Sequence, residues 1–352
     1  MAKYYDWEKT LSYDADVTMV IGNRGIGKTF GLRMQCIDDY IKHGYRFVEI
    51  CRFKNELGGL TEGYFGRLER QPKYRDKYMF KTDTRYGYIS EKPEDDEKPK
   101  WRIICYFMAM SNAQLLKKRT YDRVKRLIFD EAVLEKSDRF HHYLPNEFGI
   151  LANIVDTVSR ERKDTKSIKP RVYLLGNACD LVNPYFVAYG VGTNIKHGYS
   201  WHGGKTFLLH YVTDAEYAAE KRTGTVAGRM LAGTEAGKIA IDNEFVTLTN
   251  DFVAKKPKRA SFSYGIVIND KRFGVWLDST EGLYYVTSSF PNNAQPIYAL
   301  TASDMRINYV QASRFNNLIR VFSDAYYFGI IRYATPQVKM DFMEVLSMFG
   351  IK

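Results

Sequence analysis

The sequence predicts an α/β protein whose first part is a mostly parallel β-sheet covered by helices on both faces. Two observations support this prediction. Short β-branched, apolar runs alternate with amphipathic runs of helical period over the first 205 residues. A glycine-rich turn separates the first such strand from the first such helix. From about residue 260 the pattern changes to strands joined by short turns, which predicts a smaller α+β domain.

The first strand and helix follow from residue spacing. Residues 17–21 are apolar and β-branched, which predicts a strand buried on both faces. Residues 29–43 repeat apolar side chains at helical spacing, and Gly44 ends the run. The apolar face of that predicted helix consists of Phe30, Met34, Ile37 and Ile41.

The same reasoning predicts the remaining elements of the first part. Glycine, proline and charged residues bound each apolar run and set its ends. The charged segment EKPEDDEKPK (91–100) separates two strand-like runs, so we expect an exposed loop within a β-meander there. Strands are predicted at 45–53, 125–131 and 170–178, and helices at 63–70 and 146–160.

The alternation fades after residue 205. Residues 211–234 are rich in alanine and charge, so we interpret 206–232 as a helical linker. Beyond it, SFSYGIVI and RFGVWLD flank a short Asn-Asp-Lys turn and GLYYVTSSF follows, which predicts a β-meander. Helices are predicted near 303–320 and at 336–349. The expected segments are residues 1–205, 206–232 and 233–352.

Composition restricts the class of protein. The 352 residues carry a net charge of +11, which favours a polyanionic partner, nucleic acid ahead of an anionic membrane. The four cysteines are widely spaced without a Cys-x-x-Cys pair, which argues against a zinc cluster or disulfide framework and indicates a reducing compartment. The N-terminus lacks a signal-peptide core, and no run approaches about 20 apolar residues, so we expect neither secretion nor a membrane-spanning helix.

The glycine-rich turn GNRGIGKT (22–29) matches the phosphate-binding pattern G-x-x-x-x-G-K-[ST]. Glycines let backbone N–H groups curl around phosphates, and Lys28 would place a charge between the β- and γ-phosphates of ATP. The Thr29 hydroxyl would ligate Mg²⁺. The helix that begins there adds its N-terminal N–H groups. The predicted nucleotide-binding residues are Gly22, Asn23, Arg24, Gly25, Ile26, Gly27, Lys28 and Thr29.

The strand RLIFDE (126–131) ends in two carboxylates that complement the loop. Asp130 would complete the Mg²⁺ shell with Thr29, and Glu131 would polarise a water molecule for in-line attack. An acidic residue at a strand end is a weak signal alone, but it becomes strong about a hundred residues after a phosphate-binding loop. An adjacent Asp-Glu pair favours hydrolysis over transfer to a substrate hydroxyl.

Polar residues at the ends of two other predicted elements are further candidates. Asn177 follows an apolar strand and either caps it or hydrogen-bonds the γ-phosphate or the attacking water. Arg160 and Arg162 end the 146–160 helix, where a cation interacts favourably with the helix dipole. The functional alternative for both residues is an arginine finger donated across a subunit interface.

At this point the sequence resembles the DNA-packaging motor ATPase of small short-tailed (Picovirinae-type) bacteriophages. The similarity extends over nearly the whole chain, and several of its segments are specific to that family, whereas VIGNRGIGKT and IFDE occur in many P-loop ATPases. The segments are LSYD (11–14), VIGNRGIGKT (20–29), RFKNEL (52–57), IFDE (128–131), LPNEF (144–148), DTVSRER (156–162), NACDLVNPYF (177–186), GTEAGKIAIDNEF (233–245) and FGVWLD (273–278).

The resemblance implies a fold, a machine and its partners. The first domain would be a P-loop ATPase of the ASCE type. The protein would form a homo-oligomeric, pentameric ring on the portal vertex of a procapsid in the host cytoplasm. It would drive double-stranded DNA inward with ATP and dock through a structural RNA. Arg160 matches the family's trans-acting arginine finger, with Arg162 beside it, and Arg52 and Lys54 match basic residues that face the neighbouring subunit's nucleotide.

The C-terminal domain resembles the ribonuclease-H-like nuclease domain of larger phage terminases, with one departure. Such nucleases carry a metal-binding aspartate on their first strand, within a carboxylate cluster that holds two cations. Residues 261–268 contain no acidic residue. We therefore expect a vestigial nuclease that binds nucleic acid or portal, although acids elsewhere could still converge on an active site.

Two basic runs are candidates for nucleic-acid contacts. LLKKRTYDRVKR (115–126) carries six cations, and Lys117, Lys118 and Arg119 could grip DNA phosphates without reading sequence. KKPKR (255–259) could bind RNA or DNA. A solvated charge run is the alternative for both. The candidates in the second run are Lys255, Lys256, Lys258 and Arg259.

These observations favour an ATP-driven DNA translocase over two other classes. A P-loop small-molecule kinase or metabolic ATPase would turn over ATP without regard to DNA. A nucleotide-switched module that assembles RNA and capsid would bind ATP tightly and hydrolyse little of it.

Overall fold

The computed structural model divides the chain into two compact units. The first comprises Met1–Cys179 and Lys196–Glu244, and the second comprises Asp180–Ile195 and Phe245–Lys352. Each unit is built on its own β-sheet, which we call the larger and the smaller sheet. The described residues are 5–94, 97–116, 119–134, 143–144, 146–160, 168–181, 183–192, 195–212, 214–245, 252–312, 317–349 and 351.

Helices and strands are numbered in chain order. The helices are α1 (Trp7–Ser12), α2 (Lys28–His43), α3 (Glu56–Thr61), α4 (Pro72–Arg75), α5 (Ala113–Leu116), α6 (Glu147–Ser159), α7 (Pro184–Tyr189), α8 (Ala215–Gly224), α9 (Val226–Leu231), α10 (Glu235–Ala240), α11 (Asn317–Tyr327) and α12 (Pro336–Met348). The strands are β1 (Val17–Ile21), β2 (Arg46–Cys51), β3 (Tyr78–Thr82), β4 (Tyr86–Glu91), β5 (Arg102–Ala109), β6 (Val124–Phe129), β7 (Arg171–Gly176), β8 (Gly198–His202), β9 (Phe207–Tyr211), β10 (Ser261–Ile268), β11 (Lys271–Asp278), β12 (Leu283–Thr287), β13 (Ile297–Ala299), β14 (Val310–Gln311) and β15 (Ile331–Tyr333). Among the described residues, no helix combines the length and the hydropathy needed to span a membrane.

Within the described ranges, the larger sheet has nine strands in the order β3-β4-β5-β2-β6-β7-β1-β9-β8. Adjacent strands from β5 to β9 in this order are parallel, and antiparallel pairing is confined to the two ends. The predicted α/β class with a mostly parallel central sheet is therefore confirmed.

The register of the central strands brings three sequence segments to one edge. Ile21 of β1 lies beside Gly176 of β7, and Phe129 of β6 lies beside Leu174 of the same strand. Because parallel strands end at the same edge, the residues that follow β1, β6 and β7 converge there. This edge of the sheet carries the candidate site.

Helix α2 packs on the sheet with a face rotated from the predicted one. Leu32, Cys36 and Ile37 are buried, whereas Phe30 and Met34 are half-buried and Ile41 is exposed. Helix α1 accounts for part of this difference, because Trp7 is buried and donates from Nε1 to the Lys28 carbonyl at 2.8 Å. The start of α2 is thus fixed by α1 as well as by the sheet.

The predicted boundaries of the linker need correction. Residues 206–232 do not form a helical linker throughout, because β9 lies within them and pairs with β1 in the centre of the larger sheet. Helices α8 and α9 occupy the rest of that range, and α10 follows within the first unit. Strand β9 follows β8 after a short turn and pairs with it at the end of the sheet, and its apolar run FLLHY was not recognised as a strand.

Two predicted helices also differ from the structure. Residues 63–70 form consecutive turns, consistent with Gly63 in the left-handed region at φ +64°. Near 303–320, residues 303–312 contain turns and β14 rather than a helix, and the described helix α11 comprises Asn317–Tyr327. The predicted helix at 336–349 is confirmed as α12.

In the part of the chain that is described, the smaller sheet has six strands in the order β14-β13-β10-β11-β12-β15. The predicted hairpin of β10 and β11 is confirmed, with Asn269 and Asp270 in the left-handed region at its turn. The buried carboxylate of Asp304 accepts hydrogen bonds from both turn N–H groups, at 2.7 and 2.9 Å. Apolar side chains from α11 and α12, such as Phe322 and Phe342, complete the core against this sheet.

Candidate nucleotide site

The glycine-rich loop connects β1 to the first turn of α2. Gly25 and Gly27 have φ of +94° and +79°, which side chains other than glycine adopt with strain. Gly27 is the N-cap of α2 and has no side chain to cap it, so the first-turn N–H groups remain oriented toward the loop. Such a loop and helix terminus favour an anion.

Lys28 is buried inside the loop that precedes it. Its side chain is 8% exposed, and Nζ donates to the carbonyl oxygens of Gly22 at 2.7 Å and Asn23 at 3.0 Å. Burial lowers the pKa of Lys28 to about 8, although the nearby Asp130 carboxylate opposes this shift. Lys28 is thus held as a poorly solvated amine that an anionic ligand would stabilise in its charged form.

Thr29 and Asp130 are in direct contact. The Thr29 hydroxyl donates to Asp130 Oδ2 at 2.8 Å, although the two residues lie on α2 and after β6. Hydroxyl and carboxylate oxygens are hard ligands of the kind that Mg²⁺ prefers. The donor set at this point therefore fits Mg²⁺.

Glu131 is exposed at the end of β6 with its backbone in the left-handed region at φ +54°. Its N–H donates to Asp130 Oδ1 at 3.0 Å, and its carbonyl accepts from both terminal nitrogens of Arg52 at 3.4 Å. A non-glycine residue in this conformation costs about 1–3 kcal/mol, and such strain is concentrated at functional sites. Glu131 thus directly follows Asp130, the residue that contacts Thr29 of the phosphate-binding loop.

Asn177 reaches the loop from the end of β7. Its side-chain amide lies 3.4 Å from Lys28 Nζ. With the amide nitrogen facing the loop, it donates to the Gly22 carbonyl at 2.9 Å and its oxygen accepts from Arg24 Nε at 3.2 Å. The structure thus brings Asn177, Lys28, Thr29, Asp130 and Glu131 to one edge of the sheet.

Arg52 is buried and paired within its own chain. It is 4% exposed, and its guanidinium forms a two-point ion pair with Glu147, with Nε–Oε2 at 2.8 Å and Nη2–Oε1 at 3.1 Å. Within this chain the charge of Arg52 is paired with Glu147, and its role toward a neighbouring subunit's nucleotide stays a prediction. Lys54, two residues further, is exposed.

The remaining cationic candidates lie at the surface or outside the described residues. Arg160 is exposed at the C-terminal end of α6, and Arg119 is exposed after α5. Lys117, Lys118 and Arg162 lie outside the described residues.

The second basic run is partly engaged in internal contacts. Lys255 and Lys258 are exposed, and Lys256 Nζ lies 4.4 Å from the centre of the Trp276 ring. Arg259 pairs with Asp278 at 2.8 Å and with Glu281. Two carboxylates thus already contact Arg259, and its contact with RNA or DNA stays a prediction.

One of those carboxylates, Asp278, ends β11, and the other, Glu281, lies in the turn that follows it. Asp278 is 1% exposed and ends β11, where Arg259 and the Thr280 N–H bind it. Across the described ranges, no three His, Cys, Asp or Glu side chains are grouped so that they could hold a metal ion.

Several residues that contact the loop were missed by sequence reasoning. Tyr217 and Lys221 of α8 donate to the Arg24 carbonyl, and Asn23 donates to the Ile241 carbonyl. Glu147 was missed as the partner of Arg52. No local pattern could have identified them, because each is separated from its partner by about a hundred residues or more.

Comparison with known proteins places this site in a family. A family model described as "Podovirus DNA encapsidation protein (Gp16)" matches residues 1–347. The DNA packaging protein of Bacillus phage B103 is 32% identical over 325 residues, which cover 92% of this chain and 94% of that protein.

Two solved structures are similar as well. The bacteriophage Phi-29 viral genome packaging motor assembly contains a chain with a TM-score of 0.64 and 26% identity, which covers 99% of both chains. The N-terminal domain of the DNA packaging ATPase from bacteriophage phi29 has a TM-score of 0.50 and 28% identity, covering 61% of this chain and 98% of that domain. Since the family model matches nearly its whole length, this chain belongs to the podovirus DNA encapsidation protein (Gp16) family.

Proposed function

We propose that this protein is an ATP-driven translocase that packages double-stranded DNA into a viral procapsid. The observation that carries the proposal is the 2.8 Å contact between Thr29 Oγ1 and Asp130 Oδ2, which joins the phosphate-binding loop to the acidic strand end. Family membership gives the context, because the B103 relative is a DNA packaging protein and the phi29 relative is a DNA packaging ATPase.

The proposed reaction is hydrolysis of the bond between the β- and γ-phosphates of ATP. The loop N–H groups and the Lys28 ammonium bind phosphate oxygens. Glu131 accepts a proton from the attacking water, whose oxygen bonds to the γ-phosphorus as ADP leaves in line. Asn177, beside Lys28, orients the γ-phosphate or that water.

Mg²⁺ would be held by Thr29 and Asp130. When bound, the ion neutralises charge on the phosphate oxygens. The hydrogen bond between the two side chains keeps both ligands at the same point on the sheet edge.

Arg160 is proposed to complete the site of a neighbouring subunit in a ring. Its exposure at the end of α6 supports this role, because a guanidinium that acts in trans must be accessible. Lys54 and Arg162 are proposed as lesser contributors to the same interface. The alternative for Arg160 is a favourable charge at a helix C-terminus.

The finer fold assignment is also a proposal. Strand β7 lies between β1, which leads to the loop, and β6, which leads to Asp130, and this added strand supports the ASCE type of P-loop ATPase. In the smaller sheet, the order β12-β11-β10-β13-β14 with two antiparallel and two parallel pairs supports a ribonuclease-H-like domain. The engaged Asp278 and the absence of acids from β10 support a vestigial nuclease.

The proposed partners are double-stranded DNA, a structural RNA, the portal and further copies of this chain in a pentameric ring. The net charge of +11 supports polyanionic partners. The Phi-29 structure with similarity over 99% of this chain is a packaging motor assembly, which supports the ring and the portal. Among the described residues, Arg119, Lys255 and Lys258 are exposed and available for phosphate contacts.

The decisive experiment is steady-state ATP hydrolysis with and without double-stranded DNA. The variants are Glu131→Gln, Arg160→Ala and an equimolar mixture of the two, with Glu94→Gln in the exposed loop as a matched control. We expect DNA to stimulate the native protein and the control, each active-site variant to be inactive, and the mixture to regain activity. Recovery in the mixture requires that one subunit supplies the base and its neighbour the arginine.

The outcome also separates the rival functions. ATP turnover that ignores DNA and survives Arg160→Ala would contradict the motor and favour a small-molecule kinase or metabolic ATPase. Tight ATP binding with negligible turnover would favour a nucleotide-switched assembly module.

A further inference from the structure

Helix α8 contacts the outer side of the phosphate-binding loop through two donors on one carbonyl. Tyr217 Oη donates to the Arg24 carbonyl oxygen at 2.7 Å, and Lys221 Nζ donates to the same oxygen at 2.9 Å. A carbonyl oxygen has two lone pairs, so both are used by α8. The Arg24 carbonyl is therefore fixed in direction.

The direction of this carbonyl determines the direction of a loop N–H group. The Arg24 carbonyl and the Gly25 N–H belong to one planar trans peptide, in which C=O and N–H point in opposite directions. Because α8 holds the carbonyl on its own side, the Gly25 N–H points away from α8. Gly25 permits this peptide orientation with its φ of +94°.

We propose that Tyr217 and Lys221 are positioning residues that aim the Gly25 N–H at the phosphates of the bound nucleotide. The inference rests on the proposed nucleotide site, and it assigns α8 a role in ATP affinity. Without the two donors, the peptide could rotate and turn a carbonyl oxygen toward the phosphates, which would repel them.

Helix α8 is itself anchored at both of its ends, as a positioning element must be. Asp214 caps its start by accepting from the Tyr217 N–H at 2.8 Å. Near its other end, Lys221 also donates to the Ala240 carbonyl at 3.1 Å, and Arg222 pairs with Asp242. These contacts connect α8 to Ala240, the last residue of α10, and to Asp242 just after it. The segment that contains Asp242 is in turn attached to the edge of the larger sheet.

Asn243 makes that attachment to the sheet edge. Its side chain donates to the Val212 carbonyl at 3.0 Å and accepts from the Ala178 N–H at 3.0 Å. Asn23, which precedes Arg24 in the phosphate-binding loop, donates to the Ile241 carbonyl. Asn23 is thus held directly by this segment and Arg24 is held by α8, which the same segment anchors.

The fit between loop and helix is close at Gly25. A Cβ added at Gly25 would lie 2.2 Å from Tyr217 Oη, well inside van der Waals contact. The tyrosine therefore occupies the space that any side chain at this position would need, and the loop and α8 are complementary in shape as well as in hydrogen bonding.

The test compares Tyr217→Phe, Lys221→Gln, Lys221→Arg and the double variant Tyr217→Phe/Lys221→Gln. Lys238→Gln, an exposed lysine of α10, is the matched control. ATP binding is measured by calorimetry with Mg²⁺, KM and kcat by steady-state hydrolysis, and loop protection by amide hydrogen exchange of peptides spanning 20–32 in the nucleotide-free protein.

We expect each removed hydrogen bond to raise the Kd and KM for ATP about fivefold, with kcat at saturating ATP unchanged. The double variant should lose more affinity than either single variant, and hydrogen exchange in the loop should accelerate. Lys221→Arg should keep native affinity for ATP, because a guanidinium can donate to the carbonyls of both Arg24 and Ala240. Unchanged thermal unfolding midpoints would show that the loss is local.

Native affinity in Tyr217→Phe/Lys221→Gln would overturn the inference, as would equal losses in Lys238→Gln. If the double variant fails to fold, the two single variants decide the question. A native protein that binds ATP without hydrolysing it would contradict the proposed function alone, since the binding and exchange measurements would still test α8.

Discussion

Removing the carboxylate of Glu147 should destabilise the first unit strongly. The side chain of Glu147 is fully buried, and it binds Arg52, 4% exposed, through two contacts of 2.8 and 3.1 Å. Breaking a buried ion pair from one side costs about 3–5 kcal/mol, because the remaining charge is left unpaired. For a unit of this size, the free energy loss corresponds to a fall of roughly 6–20 °C in Tm.

A double-mutant cycle with Arg52→Met, Glu147→Ala and the combined variant, followed by thermal unfolding, measures the coupling. We expect the combined variant to be more stable than Glu147→Ala alone, because no charge is then buried without a partner. Glu91→Ala is the control, since the Glu91–Arg102 pair is exposed on both sides at 3.7 Å, and it should lose less than about 1 kcal/mol. The reasoning is refuted if the combined variant loses as much stability as the two single variants together.

Three further predictions concern charge and backbone strain. Burial lowers the pKa of Lys28 to about 8, so the affinity for ATP should fall as the pH rises through that value. Lys28→Arg should bind ATP more weakly, but its affinity should not change from about pH 7 to 9.5. A native affinity that does not vary with pH in calorimetry would contradict this. Asp304→Ala leaves two turn N–H groups of the β10–β11 hairpin without their acceptor and should lose about 1–3 kcal/mol in denaturant unfolding, while Asp304→Asn should lose less. Gly25→Ala should lower the free energy of unfolding by about 1–3 kcal/mol. Adding Tyr217→Phe should restore part of that free energy, because it removes the hydroxyl 2.2 Å from the new Cβ. If nothing is restored, the positive φ alone causes the loss.

The parts of the site that sequence could predict are those that follow strand ends. GNRGIGKT and IFDE each come directly after an apolar strand, and parallel strands bring such positions to one edge. The contact of Thr29 with Asp130 is therefore a consequence of strand order and local pattern together. The same logic located Asn177.

Contacts between distant segments could not be predicted in this way. The pairing of Arg52 with Glu147 spans 95 residues, and the donation from Tyr217 to Arg24 spans 193. Neither residue pair has a local signature, so the sequence contains no indication that Arg52 is buried against Glu147. The helical face of α2 was misjudged for a related reason, because α1 contributes to its packing and periodicity within α2 contains no information about α1.

Helix α6 connects the surroundings of Glu131 to Arg160. At its first residue, Glu147 binds Arg52, whose guanidinium also contacts the carbonyl of Glu131, and its last turn leads to Arg160. Its 13 residues make a stiff lever about 20 Å long. A tilt of only about 5° at the Glu131 end would displace Arg160 by nearly 2 Å, on a scale where about 1 Å of misplacement can change a rate roughly a hundredfold. Rearrangement around a bound nucleotide would in this way be transmitted mechanically to Arg160, which is proposed to act on a neighbouring subunit's nucleotide.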